Sequence, residues 1–175
     1  MAAKTGTYTL IASQTLGSTA SSVTFSSIPG TYTDLVLILG DLKASISSNS
    51  INVRYNSDSG TNYSYTIITG TGSVAQSARG TSQTSSFFGG YNVGVDSTYP
   101  SVMVGHIMDY ANTTTYKTGI SRYGIERAGG TGETQAIVNL WRSTAAITSV
   151  TVATYTGNWS IGSNFKLYGI EAGNQ

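Results

Sequence analysis

Residues 164–170 read Asn-Phe-Lys-Leu-Tyr-Gly-Ile, with apolar and polar side chains alternating as they do in a strand that buries one face. Phe165 and Leu167 fall on one face, Lys166 and Tyr168 on the other, and Gly169 leaves room for a neighbouring group to come close. Chain ends usually fray unless they are tied into the fold. An apolar strand followed by only five residues is therefore expected to be locked into a sheet.

The same two-residue period recurs along the chain, and helical spacing is hard to find. About ten strands are expected. The first two are 7–12 and 22–26, where Val23 and Phe25 share a face. A turn at Pro29-Gly30 follows. Residues 34–42, DLVLILGDL, form the most continuously apolar run, which suits a central strand covered on both sides. Residues 50–55, SINVRY, are read as a strand joined by the polar turn NSDSGTN to a hairpin partner at 63–69. Residues 70–94 are rich in Gly, Ser and Gln, and are expected to form a long surface loop with one short strand at Phe87-Phe88. Strands at 101–110, 115–123, 133–142 and 149–155 complete the series, with RAGGTGE as the clearest break. No linker divides the chain, so residues 1–175 are expected to form one domain.

Composition points the same way. Only 10% of residues are charged, against roughly a quarter in typical soluble domains, while Ser and Thr occupy 51 of the 175 positions. The surface must therefore be hydroxyl-rich rather than ionic. Twelve Tyr and many Val, Ile and Thr suit pleated sheets, and a net charge of +1 is far from the signature of disorder. The nine basic residues are scattered, which argues against nucleic acid as a partner. With no Cys, neither disulfides nor thiolate metal sites are available. No segment has the apolar length of a signal-peptide core or a membrane span, so a soluble protein with no membrane partner is expected.

No catalytic constellation emerges. The one histidine, His106, precedes Asp109 by three residues, and in a strand that spacing sends the two side chains to opposite faces. It is read as a strand histidine without chemistry, and no G-x-S-x-G elbow supports a triad. Asn56, Asp58 and Gly60 alternate as in a calcium loop but lack the distal Glu, so a polar turn explains them better. Asp34, Asp41, Asp96, Glu126 and Glu133 form no pair suited to glycoside hydrolysis. The Gly-rich stretches lack a Walker Lys. The expectation is a protein that is not an enzyme and has no catalytic residue, metal or cofactor. Aromatic residues near loops are the better lead: Phe87, Phe88, Tyr91, Tyr99 and Trp159, with Tyr155, are candidates to anchor an interface or stack on a sugar. Capping the ends of a sandwich core is the alternative role. For the Phe pair it is the weaker one, because adjacent strand residues cannot both face one core.

Three stretches together resemble a group of small virion proteins of tailed bacteriophages, especially those of cyanobacteria and other aquatic hosts. They are FSSIPGTYTDLVLIL (25–39), INVRYNSDSGTNYSY (51–65) and the closing NFKLYGI. Phe25, Ile28, Pro29, Tyr32, Leu35 and Leu37 fit the group's first pattern, and Asn56, Asp58, Gly60, Asn62 and Tyr63 fit its turn. Residues 70–94 depart most. The resemblance implies a single jelly-roll-like antiparallel β-sandwich carried on a virion, assembled in the host cytoplasm. It implies a capsid decoration (cement) protein bound to the major capsid protein, or alternatively a tail or head fibre module that binds host polysaccharide. Covering exposed sheet edges by symmetric association makes a homotrimer the expected state. In a jelly roll the first and last strands are neighbours, so NFKLYGI should pair with TYTLIAS (7–13).

Overall fold

The computed structural model describes residues 7–171, and among these there is no helix. Twelve strands are present: β1 (Tyr8–Thr15), β2 (Ser22–Phe25), β3 (Asp34–Leu42), β4 (Ile51–Tyr55), β5 (Tyr63–Gly70), β6 (Ala75–Gln83), β7 (Ser86–Gly89), β8 (Ser101–Ile107), β9 (Lys117–Arg127), β10 (Thr131–Trp141), β11 (Val150–Thr154) and β12 (Asn164–Ile170). They form an eight-stranded sheet in the order β1-β12-β3-β8-β9-β10-β5-β6 and a four-stranded sheet in the order β2-β11-β4-β7. The pairing is antiparallel throughout, and the protein is an all-β sandwich.

The closing strand does pair with the first, from Tyr8 opposite Ile170 to Thr15 opposite Asn164, and on its other side it pairs with β3. Phe165 and Leu167 are buried, whereas Lys166 and Tyr168 are only half-buried on the outer face. Gly169 lies under the ring of Tyr32, so close that a Cβ would fall inside the ring's van der Waals envelope.

The core lies between the sheets. Leu35, Leu37 and Leu39 of β3, Met103 and Ile107 of β8, and Tyr123 and Ile125 of β9 meet Val23, Phe25, Ile51, Val53, Val150 and Val152 of the smaller sheet in one contiguous cluster. Alternation places these residues: each strand sends every second side chain inward, and the outward ones stay at least partly wet.

Two sequence-based expectations fail here. β4 and β5 are not a hairpin: β4 pairs with β11 and β7, and β5 with β10 and β6. The NSDSGTN turn carries the chain from one sheet to the other. Trp141 and Tyr63 of the large sheet pack on Tyr55 of the small one, with Trp141 and Tyr55 ring centres 5.4 Å apart. The second failure is the long surface loop at 70–94. That region contains the nine-residue strand β6 as well as β7, and apart from the short connections at 71–74 and 84–85 only 90–94 is irregular. AQSARGTSQ has no β-branched residue apart from Thr81, and it is a strand because it lines the exposed edge of β5. Residues 34–42 are indeed central, between β12 and β8, although Ile38 on the outer face is only half-buried.

Candidate binding surfaces

The aromatic candidates separate by depth. Trp159 is fully buried, its Nε1–H donating to the Val152 carbonyl at 3.3 Å and its ring edge-on to Phe165. Its backbone bridges Ala20 and Ala44, so it is a core residue rather than a surface anchor. Phe88 is also fully buried and lies over Gly105, where a side chain would collide with its ring. Phe87 points the other way, as adjacent strand residues must, and stacks on Tyr65 at 4.9 Å with Tyr91 edge-on at 6.3 Å. Tyr99 packs half-buried against the core and makes no ring contact with this group. The structure thus joins Phe87 and Tyr91, adds Tyr65, and leaves Phe88, Tyr99 and Trp159 in or against the core.

Two of the acidic residues, Glu133 and Asp96, are occupied in holding loops. Glu133 accepts backbone N–H bonds from Asn92 and Gly94 at 3.1 and 3.0 Å. Asp96 pairs with Arg127 at 2.8 Å and accepts from the Thr98 and Tyr99 amides. Burial alone would raise its pKa, but those amides and the Arg127 charge hold it below the usual carboxylate range. His106 meets Asp34, not Asp109: Nε2 lies 2.9 Å from Oδ2, while Oδ1 accepts the Asp109 amide at 2.8 Å. That cross-strand pair sits on the outer face of the large sheet, where it fastens β3 to β8.

Asp58 gathers the NSDSGTN turn about itself. Its carboxylate accepts from Trp141 Nε1 at 2.7 Å, Gly60 N at 2.8 Å and Asn62 Nδ2 at 2.9 Å. Burial would raise its pKa, yet these donors pull it below the ordinary 3.8. Tyr63 donates from its hydroxyl to the Asp58 carbonyl, and desolvation pushes that hydroxyl up to about 12.

Two surfaces remain open. The first is the outer face of the large sheet. Leu10, Tyr168, Val36, His106, Ile120, Val138 and Thr66 are successive cross-strand partners over seven strands. At about 4.8 Å per strand the row is roughly 30 Å long. A second row beside it runs Lys166, Ile38, Val104, Arg122, Ala136 and Ile68. Ile68 is 65% exposed and Val102, on the same face, 52%. Lys166 and Arg122 take part in neither of the two ion pairs found among the described residues.

The second surface is a groove of about 450 Å³ on the opposite side, over the outer face of the small sheet. Asn52 and Arg54 of β4 and Thr151 and Ala153 of β11 form its floor. Residues 83–85 and the Phe87–Tyr65 stack form a wall, and Tyr155 stands at the rim, 78% exposed. Two of its residues, Phe87 and Tyr155, are among the aromatic candidates read from the sequence, but the polar floor was not legible because it reads simply as the solvent face of two strands.

No protein-family model, no characterised protein and no solved structure gives a significant match to the chain.

Proposed function

We propose that the protein is a non-enzymatic structural component of a virion, a capsid decoration protein that seats on the major capsid lattice and reinforces it. The observation that carries this reading is the apolar outer face of the eight-stranded sheet. On a surface otherwise dominated by hydroxyl groups, the exposed Leu10, Val102, Val104, Ile120, Val138 and Ile68 make this face mainly apolar, although Tyr168, His106 and Arg122 interrupt it, and such a patch is the kind that marks a protein–protein contact. Lys166 and Arg122, set among these apolar side chains, fit a partner surface that offers carboxylates within an apolar contact.

The strand order supports the fold that the resemblance implies. β1-β12-β3-β8 facing β2-β11-β4-β7 is the distribution of eight strands in a jelly roll, with β5-β6 and β9-β10 as two added hairpins that widen one sheet. The widening supplies three of the seven strands that the row crosses. Association as a homotrimer would cover the nine-residue edge strand β6, which carries a single charge, Arg79. Sedimentation of the purified chain tests this, and a monomer at high concentration counts against it.

Electron microscopy of particles that carry the protein tests the main reading. Density over the capsid surface is expected; density confined to the tail would replace decoration with the fibre reading. Val104→Asp with Ile120→Asp, at solvent-facing positions, should leave the fold intact and abolish attachment to capsids. Full attachment of that variant would remove this face from the contact.

A further inference from the structure

The groove over the small sheet has a chemistry unlike the apolar band behind it. Arg54 is the one charged residue in its lining, and no carboxylate accompanies it. Its Nε–H donates to the Thr84 carbonyl at 3.1 Å, which fixes the guanidinium plane. The two terminal nitrogens have no protein acceptor among the described residues. The Asn52 amide makes only long contacts of 3.4 Å, to Ser50 and Ser85, which a ligand hydroxyl can replace. Tyr155 is held by its backbone, its N–H donating to Asn49 Oδ1 at 2.9 Å, while its ring projects into solvent.

A fixed guanidinium, exchangeable amide and hydroxyl groups and an exposed flat ring match one ligand class well. Sugar rings offer hydroxyls to the polar groups and an apolar C–H face to the aromatic ring. A carboxylate on the sugar meets a guanidinium in the two-bond geometry that Arg favours. A polyphosphate backbone would need several cations, and this groove has one. The volume also falls within the range of ordinary ligand sites, roughly 300–1,000 Å³.

We propose that this groove binds a segment of acidic oligosaccharide, with Arg54 facing a sugar carboxylate and Tyr155 stacked on a sugar ring. The site does not depend on the docking face, since the core of the sandwich lies between them. A chain seated by its large sheet would present the groove outward.

Calorimetric titration with a panel of uronate- and sialate-containing oligosaccharides, set against their neutral counterparts, tests the proposal. At least one acidic member should bind, with its neutral counterpart about tenfold weaker or more, the loss of one charge-assisted pair. Arg54→Gln should erase that preference and most of the salt dependence, and Tyr155→Ala should weaken acidic and neutral sugars alike. Both residues are exposed, so a matching far-UV spectrum and melting curve are expected for each variant. The proposal is overturned if no acidic member binds, if neutral sugars bind equally well, or if Arg54→Gln binds as the parent does. The Val104→Asp, Ile120→Asp variant should keep its sugar binding, so a failure of the docking reading and a failure of this one are told apart.

Discussion

Asp58 shows how much of this fold rests on single polar side chains. Its carboxylate gathers a turn that leaves one sheet and enters the other, and its partner Trp141 belongs to the far side of that crossing. Because its folded-state pKa is depressed, its contribution is fully present above the ordinary 3.8 and is lost as pH falls through the lower folded value. Asp96 acts in the same direction. Asp58→Asn should therefore cost about 1.5–3 kcal/mol at neutral pH, the worth of hydrogen bonds to a charged acceptor. It should also flatten the acid limb of the stability curve, measured by urea denaturation across the acid range. An unchanged limb would mean that the turn is held by Tyr63 and the backbone alone. Nothing in NSDSGTN itself announces this role, since the donor that matters, Trp141, lies 83 residues away.

At the scale of elements, the most legible feature of the sequence was the closing strand. Its alternation gave the buried face, and its glycine gave the close approach that Tyr32 makes. Gly169→Ala should destabilise by about 1–3 kcal/mol, the usual cost of overpacking. Tyr32→Ala should cost less in that background than alone, a coupling that a double-mutant cycle reads directly. Additive losses would show that the two do not touch. Leu167→Asp, which puts a charge into the core between β1 and β3, should not fold at all. β6 and the β4–β5 connection were not legible for a related reason. A strand that borrows its order from a neighbour needs no β-rich sequence of its own, and two alternating segments flanking a polar turn look alike whether they pair with each other or with strands from elsewhere. The groove was legible only in part: Phe87 and Tyr155 stand out as loop aromatics, but Arg54, far from both in sequence, reads as an ordinary strand residue. Trp159 and Phe88 misled in the opposite sense: glycine- and serine-rich surroundings suggested surface, while their bulk made them core.

For the whole molecule, the arrangement of the two tryptophans decides how cooperative the fold must be. Trp141, at the end of β10, stacks on Tyr63 and leans on Tyr55 of the small sheet, whereas Trp159, between β11 and β12, sits against Phe165 near the first-to-last seam. Both belong to the one buried cluster that runs between the sheets, and neither sheet has a second core to fall back on among the described residues. The β5-β6 and β9-β10 hairpins extend the large sheet beyond the strands matched by the small one, but β7 lies across β9, β10 and β5 and ties that extension to the same core. A chain built this way should unfold in one step. Trp159→Phe leaves fluorescence reporting on the hairpin end, and Trp141→Phe leaves it reporting on the seam. Trp141→Phe should melt at the lower temperature, because the hydrogen bond it removes is a short one to the Asp58 carboxylate, 2.7 Å, whereas Trp159→Phe removes a longer one to the neutral Val152 carbonyl, 3.3 Å. Within each variant, however, the fluorescence midpoint should coincide with the far-UV midpoint. If the hairpin end melted ahead of the sheet signal while the seam did not, the added hairpins would be a separate cooperative unit, and the apolar band they help to form would be mobile before it docked.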